Sequence, residues 1–399
     1  MYSKNFFLIT FLFLLTVTSN GQGTWTQKAN FGGVPNQGCS GFSIGNKGYI
    51  CSGAAQNNFW EYDPAINSWT AKSNFISGTA NNVSFSIGNN GYIGGIFNSL
   101  DFWEWNQASN TWTQKANFAG PPRQGAVGFA LGNKGYITNG YDSFNNNVYN
   151  DLWEWDQLTN TWTQKANFPG IARSYGIGFS LGNKGYIGTG FGALPYNDFW
   201  EYDQSLDLWT QKANFGGVGR SEATCFAVGS FGYVGTGTVN VGSGASSDIW
   251  KYNVSNNTWI QMTNFGGGNR EFATGLSIGC KGYIGLGWIN DDGNTFKNDF
   301  WEFTPDTCDP TEIVDLTKEF SISIFPNPVS KSGILQSNIN LKNAIMYIYN
   351  SKGQLNKEIK NITGNSINLL NSNLESGLYF VKFTQSNLTI ITYKLIITN

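Results

Sequence analysis

Asp151-Leu152-Trp153-Glu154-Trp155-Asp156, a turn through Leu158-Thr159-Asn160, and Trp162-Thr163-Gln164-Lys165 form the stretch from which the fold is read. Just upstream, Gly128-Phe129-Ala130-Leu131 meets Gly132-Asn133-Lys134-Gly135 and returns as Tyr136-Ile137-Thr138. The glycines and Asn of the middle segment suit a tight hairpin that needs positive φ, so the whole reads as four short antiparallel strands. These pieces recur. The Trp-Thr-Gln-Lys mark starts at Trp25, Trp69, Trp112, Trp162, Trp209 and, more loosely, Trp259, at spacings of 44, 43, 50, 47 and 50 residues. A second mark centres on Trp60, Trp103, Trp153, Trp200, Trp250 and Trp301, and a third on Tyr49, Tyr92, Tyr136, Tyr186, Tyr233 and Tyr283. Sheets that are apolar on both faces must stack on their neighbours, and radial stacking closes the array as a β-propeller. The marks begin with the outer-strand Trp25 and end at Trp301 with no outer-strand mark after it. The segment 24–31 is therefore expected to supply the fourth strand of the last sheet and to clasp a six-bladed ring.

Composition fits this all-β reading and removes several functions. The chain has 399 residues with 50 Gly, 15 Trp, 18 Tyr and 30 Phe, suited to many tight turns and aromatic strand positions. Charged residues make up 13% of the chain, against roughly 25% in ordinary soluble domains, and the formal net charge is −2. No basic excess marks a nucleic-acid binder. There is no His, which excludes Ser-His-Asp and Cys-His nucleophile activation and His-ligated zinc, iron or copper. No cofactor is expected.

The ends have their own character. Lys4 precedes the apolar run Phe6-Phe7-Leu8-Ile9-Thr10-Phe11-Leu12-Phe13-Leu14-Leu15-Thr16-Val17 and a small-residue exit at Thr18-Ser19-Asn20-Gly21, the pattern of a secretory signal peptide over 1–21. No other stretch approaches the roughly 18 apolar residues of a membrane-spanning helix, so the mature chain is expected to lack a transmembrane segment. Five cysteines, Cys39, Cys51, Cys225, Cys280 and Cys308, are an odd, sparse set. A two-residue turn at Asn46-Lys47 would set Cys51 opposite Phe42, on the other strand face from Cys39. Mostly unpaired thiols are expected.

After Phe303 the aromatic repeat stops. Residues 311–399 hold 8 Lys and 5 acids, a net charge of +3, whereas residues 22–310 carry 15 bases and 21 acids, a net charge of −6. Alternating runs such as Phe320-Ser321-Ile322-Ser323-Ile324-Phe325 and Ala344-Ile345-Met346-Tyr347-Ile348-Tyr349 predict a small Ig-like β-sandwich. The expected organisation is a propeller at 22–305, a linker at 306–318 and a separate domain at 319–399.

Two resemblances follow. The hairpin ending in Gly, the aromatic third strand and the Trp-bearing fourth strand resemble kelch repeats, although the kelch double glycine survives only at Gly94-Gly95; elsewhere the sites read Ser52-Gly53, Asn139-Gly140, Thr189-Gly190, Thr236-Gly237 and Leu286-Gly287. The tail resembles the sorting domain of the bacterial type IX secretion system. Its matching pieces are Phe325-Pro326-Asn327-Pro328-Val329, Ile348-Tyr349-Asn350-Ser351-Lys352-Gly353, Leu374-Glu375-Ser376-Gly377-Leu378-Tyr379-Phe380-Val381 and Lys394-Leu395-Ile396. The marker residues are Pro326, Asn327, Pro328, Gly353, Gly377, Tyr379 and Lys394. The resemblance implies export by the type IX machinery to the outside or outer surface of a Bacteroidota-type cell, with the tail removed.

Candidate chemistry centres on the four arginines, Arg123, Arg173, Arg220 and Arg270. Each precedes its hairpin glycine by nine residues, and the same offset in the first two repeats gives Asn36 and Thr79. Guanidinium groups near the mouth of a central channel could receive a carboxylate, sulfate or acidic sugar. The same residues could instead pack against neighbouring acids or cap loop carbonyls. The acids Glu61, Glu104, Glu154, Glu201 and Glu302 recur sheet after sheet, which suits cross-strand partners better than a glycosidase pair. The loop Asn290-Asp291-Asp292-Gly293-Asn294 lacks EF-hand spacing and reads as a solvated turn, so no metal site is expected. Copper oxidases that share the propeller need His ligands, and sialidase-like propellers use an arginine cluster with Tyr and acids. Candidate stacking residues are Tyr141, Phe144, Tyr149, Phe191, Tyr196 and Trp288. The resulting expectation is a monomeric, non-enzymatic module that binds an extracellular glycan or protein, with a histidine-independent carbohydrate-active enzyme as the alternative. Sequencing the exported protein from its N terminus checks the first processing step: the mature chain is expected to start near Gln22, and an intact Met1 would contradict cleavage.

Overall fold

The computed structural model describes residues 23–306 apart from 52, 54–55, 77–79, 240–243 and 290–294. It also describes residues 322–398 apart from 326, 328, 330–331, 352–353, 371–373 and 386–387. The expected signal peptide and nearly all of the expected linker lie outside these residues. The chain divides into two compact units, Met1–Thr311 and Glu312–Asn399.

The described residues of the first unit are all-β, with six four-stranded antiparallel sheets. The third is typical, running Val127–Leu131, Lys134–Thr138, Leu152–Asp156 and Thr161–Lys165 in sequence order. The last departs from sequence order: Thr24–Gln27 pairs with Phe300–Thr304, which pairs in turn with Lys281–Gly285 and Thr274–Ile278. The N-terminal strand therefore completes the C-terminal sheet, as the order of the Trp marks predicts. The six first strands, Ser40–Ile44, Val83–Ile87, Val127–Leu131, Ile177–Leu181, Thr224–Val228 and Thr274–Ile278, each contact the next, and the last contacts the first.

The repeated marks are packing devices. Each Tyr of Gly-Tyr-Ile is buried, and in five sheets its hydroxyl donates to the facing Glu of the third strand, as in Tyr49 to Glu61 at 2.8 Å and Tyr283 to Glu302 at 2.7 Å. In five sheets the Gly beside it leaves room for a phenyl ring from the preceding sheet, as a Cβ on Gly91 would sit 2.1 Å from the ring of Phe42, while Gly48 of the first sheet faces Leu276 and Ile278. Fourth-strand tryptophans join neighbouring sheets, since Trp69 Nε1 donates to Ala29 O at 3.1 Å and Trp162 Nε1 to Ala116 O at 3.0 Å. The recurrent acids are also engaged from the fourth strand, with Lys72 3.0 Å from Glu61 and Lys212 3.4 Å from Glu201.

One register differs from expectation. Ile44 pairs with Lys47 and Cys51 with Ser40, so the first hairpin turns at Gly45-Asn46 rather than Asn46-Lys47. The cause is Gly45, whose φ of 57° supplies the positive value that the turn's leading position requires. Cys39, Cys51 and Cys225 are free thiols, whereas Cys280 is disulfide-bonded. Burial pushes the thiols of Cys39 and Cys225 up to about 12, which removes them as nucleophiles at neutral pH.

In the second unit, strands Ile322–Phe325, Ser332–Asn350, Gly377–Gln385 and Leu388–Ile397 are hydrogen-bonded in that order. Leu355–Leu370 pairs along the long second strand, with register shifts. The buried core includes Leu341, Met346, Ile348, Tyr379, Val381 and Leu395.

The closing strand is anchored by Trp25, whose ring centroid lies 5.0 Å from those of Phe265 and Phe303. Trp25→Ala is expected to cost about 2–3 kcal/mol, measured by denaturant unfolding of the full chain. An unchanged midpoint would show that the strand does not close the sheets.

Candidate functional site

In an antiparallel four-stranded sheet, the connection from second to third strand emerges at the same end as the link from the fourth strand to the next sheet. Backbone bridges tie these two loop sets together, as in Gln124 with Tyr141, Glu271 with Trp288 and Arg220 with Val239. One face of the first unit therefore carries the four arginines and the variable loops.

The arginines do not open onto that face. Arg123, Arg173, Arg220 and Arg270 are at most 1% exposed. Each guanidinium is held bidentate by the aspartate that precedes its own third strand, with Nη2–Oδ2 distances of 2.9, 2.8, 2.8 and 3.0 Å to Asp151, Asp198, Asp248 and Asp299. Each Nη1 also donates to a carbonyl 16 residues downstream, Asn139 O, Thr189 O, Thr236 O or Leu286 O, at 2.7–3.0 Å. The same aspartates accept the indole N–H of Trp153, Trp200, Trp250 and Trp301. Tyr149 and Tyr196, expected as stacking residues, lie against Arg123 and Arg173 with 4.3 and 4.4 Å between guanidinium carbon and ring centroid. The expectation of a guanidinium ring open to an anionic ligand is thus corrected: fixed carboxylates and aromatic rings occupy the donors and faces that a ligand would use.

The other predicted positions separate. Asn36 is buried, and its side-chain oxygen accepts from Gln37 N at 2.8 Å. Thr79 and the loop 290–294 lie outside the described residues. Tyr141 is half-buried with its hydroxyl on Asn146 Oδ1 at 3.0 Å, Trp288 is half-buried, and Phe191 bridges to Ser174. No group of three or more metal-ligating side chains occurs among the described residues.

Two positions after the arginine phase lies a set of residues that sequence reading missed: Gly38, Asn81, Gly125, Tyr175, Glu222 and Phe272. All six have positive φ, between 52° and 60°. Their backbone amides form a closed cycle, each N–H donating to the carbonyl of its counterpart in the preceding sheet. The distances are 2.8 Å for Asn81 to Gly38, 3.1 Å for Gly125 to Asn81, 2.7 Å for Tyr175 to Gly125, 3.0 Å for Glu222 to Tyr175, 3.1 Å for Phe272 to Glu222 and 3.1 Å for Gly38 to Phe272. These residues line an axial cavity of about 160 Å³. The Tyr175 and Phe272 rings meet edge to face at 5.6 Å, and Thr238 Oγ1 donates to Glu222 Oε2 at 2.6 Å. Burial pushes the Glu222 carboxyl above its usual range and the Glu271 charge adds to this, while the Thr238 hydrogen bond opposes it.

In the second unit, Asn327 Oδ1 accepts from Ile396 N at 3.0 Å, and the Tyr379 hydroxyl donates to Glu375 O at 2.9 Å. Gly377 opens a strand and Lys394 lies on the last one, paired with Phe380. Pro326, Pro328 and Gly353 are outside the described residues. Residues 323–398 match the family model described as the secretion system C-terminal sorting domain. The chain carries a type IX sorting tail. This tail marks the protein for secretion and attachment to the outer cell surface. Among solved structures, one titled "Structure of YjhT" aligns with a TM-score of 0.63 and 17% identity, over 70% of this chain and 97% of that one. The likeness supports a β-propeller fold. No curated protein sequence matches the chain, and no described helix is long and apolar enough to cross a membrane.

The arginine clasps make stability depend on pH. Burial alone would raise Asp151 and Asp248, but the Arg123 and Arg220 hydrogen bonds and charges outweigh it and hold both carboxyls below their usual value. Their stabilisation is full above the ordinary Asp range near 4 and is lost as pH falls through the lower folded value. Asp248→Asn is expected to cost about 3 kcal/mol at neutral pH by leaving Arg220 buried and uncompensated. The gap from the parent protein should narrow below pH 4 in denaturant titrations. A constant gap would contradict the pairing.

Proposed function

We propose that the chain is an exported six-bladed kelch-like propeller with an Ig-like sorting tail, acting as a monomeric, non-enzymatic module that binds an uncharged glycan outside the cell. The observation that carries the reading is the chemistry of the loop-bearing face. Its arginines are consumed internally, and the lysines that end or follow the fourth strands, Lys28, Lys72, Lys115, Lys165 and Lys212, are ion-paired with Glu302, Glu61, Glu104, Asp207 and Glu201, which leaves Lys297 as the remaining Lys of its loops. The same loops expose Val34, Ile76, Phe144, Ile171, Leu194 and Val218, each 47% exposed or more. Apolar and aromatic surface interspersed with Asn, with few free cations, suits the C–H faces and hydroxyl edges of neutral sugars. It does not suit sulfated or uronic-acid chains, which need cationic partners. Half-buried Tyr175 and Phe272 at the axial cavity add aromatic surface, and about 160 Å³ leaves room for about five waters or one sugar ring.

A second reading, a histidine-independent carbohydrate-active enzyme, draws on Glu222 alone. A carboxyl pushed up by burial at the rim of a cavity, with Glu271 charged nearby, has the character of a general acid. Incubating the full chain with insoluble mannan, cellulose and polygalacturonate, and assaying both retention and released sugar, separates these readings. Retention on a neutral polysaccharide, insensitive to 0.5 M salt and without release, is expected. Retention confined to polygalacturonate and abolished by salt would overturn the binding chemistry, and sugar release abolished by Glu222→Gln would establish the enzyme.

A further inference from the structure

The loop between the second and third strands of the third sheet is folded into a rigid display. Its short strands Tyr141–Asp142 and Asn147–Val148 pair with each other, and Tyr149 N donates to Gly140 O at 3.0 Å. Asp142, only 4% exposed, turns its carboxylate inward. It accepts from Phe144 N at 2.9 Å, Asn145 N at 3.3 Å, Asn145 Nδ2 at 2.7 Å and the Tyr149 hydroxyl at 3.4 Å. Tyr149 in turn rests on the Arg123 guanidinium, so the loop is fastened to a buried clasp. At its tip this fixed scaffold holds Phe144 73% exposed. The ring lies nearly parallel to that of Phe97, from the equivalent loop of the second sheet, with centroids 6.1 Å apart and 19° between planes. Phe97 is itself 37% exposed.

Folding alone does not call for this arrangement, because hydrophobic burial would place such rings inside. We propose that Phe97 and Phe144 form a stacking platform for sugar rings of a neutral glycan chain. The proposal rests on the glycan-binding reading of this face and assigns it a primary subsite away from the axial cavity. The surroundings of the platform commit it to a sugar. Its border is made of the exposed amides Asn98, Asn145, Asn146 and Asn147, and Asp142 of the same loop is drawn inside. Phenyl faces meeting sugar C–H groups, with amides reaching the equatorial hydroxyls, complete the match.

Isothermal titration of the full chain with cellohexaose, mannohexaose and laminarihexaose tests the assignment, alongside Phe144→Ala, Phe97→Ala and Phe144→Tyr. The parent protein is expected to bind one of the three. Each alanine variant should weaken that binding about tenfold, and Phe144→Tyr should retain it. The Phe144→Ala thermal midpoint should stay within about 2 °C of the parent, because the ring is largely exposed. If the parent binds and both alanine variants bind equally well, the platform is wrong while glycan binding stands. If no neutral hexaose binds the parent, both fall. Phe144-dependent capture of a surface extract that persists after enzymatic deglycosylation would assign the platform to protein contact instead.

Discussion

Six backbone hydrogen bonds running head to tail around the axis are the constraint on which the first unit depends. Each joins one sheet to the next, and the sixth, from Gly38 to Phe272, joins the beginning of the repeat array to its end. A cycle of this kind closes only when every sheet sits at the right angle to its neighbours, because one displaced sheet breaks two bonds. Its cost lies in backbone conformation. Gly38 and Gly125 adopt positive φ freely, whereas Tyr175, Glu222 and Phe272 hold it at about 1 kcal/mol or more each. An amide left unpaired at such a position costs a comparable or larger amount, so the cycle holds its strained members in place.

The arginine clasps build outward from that cycle. Arg173, Arg220 and Arg270 lie two residues before members of the cycle, and their backbone carbonyls accept from Gly140, Gly190 and Gly237 of the preceding sheets at 2.7–2.8 Å. Their guanidinium groups bind the start of the third strand and the end of the second within their own sheet. Backbone thus joins sheet to sheet while side chain joins strand to strand. Buried ion pairs of this type repay desolvation through complete hydrogen bonding rather than through charge alone. For the outer surface the consequence is chemical: by internalising its arginines, the molecule leaves a face of Phe, Tyr, Asn and aliphatic side chains with few cations. That chemistry is the basis of the proposed binding of neutral glycans, and the sorting tail marks the protein for the outer cell surface.

Much of this architecture is legible in the sequence because it is periodic. The Trp, Tyr and Gly marks show the strands, and the unpaired mark at Trp25 shows the closing strand. The shared phase of the four arginines is equally visible. Their partners are not, because Asp151, Asp198, Asp248 and Asp299 lie 25–29 residues downstream, across loops of differing length. The axial cycle is hidden for a different reason. Positive φ is signalled by Gly38, Gly125 and Asn81, but Tyr, Glu and Phe at the same phase conceal it, since tertiary closure and not local preference imposes the conformation. The displaced hairpin register at Gly45 shows the finer limit, where two adjacent turn-forming residues compete and only φ decides.

Amide hydrogen exchange tests the axial cycle most directly. The amides of Gly38, Asn81, Gly125, Tyr175, Glu222 and Phe272 lie in loops, yet they are expected to be protected as deeply as the first-strand amides and to lose that protection together with them at global unfolding. Rapid, loop-like exchange at these six positions while the strands remain protected would contradict it.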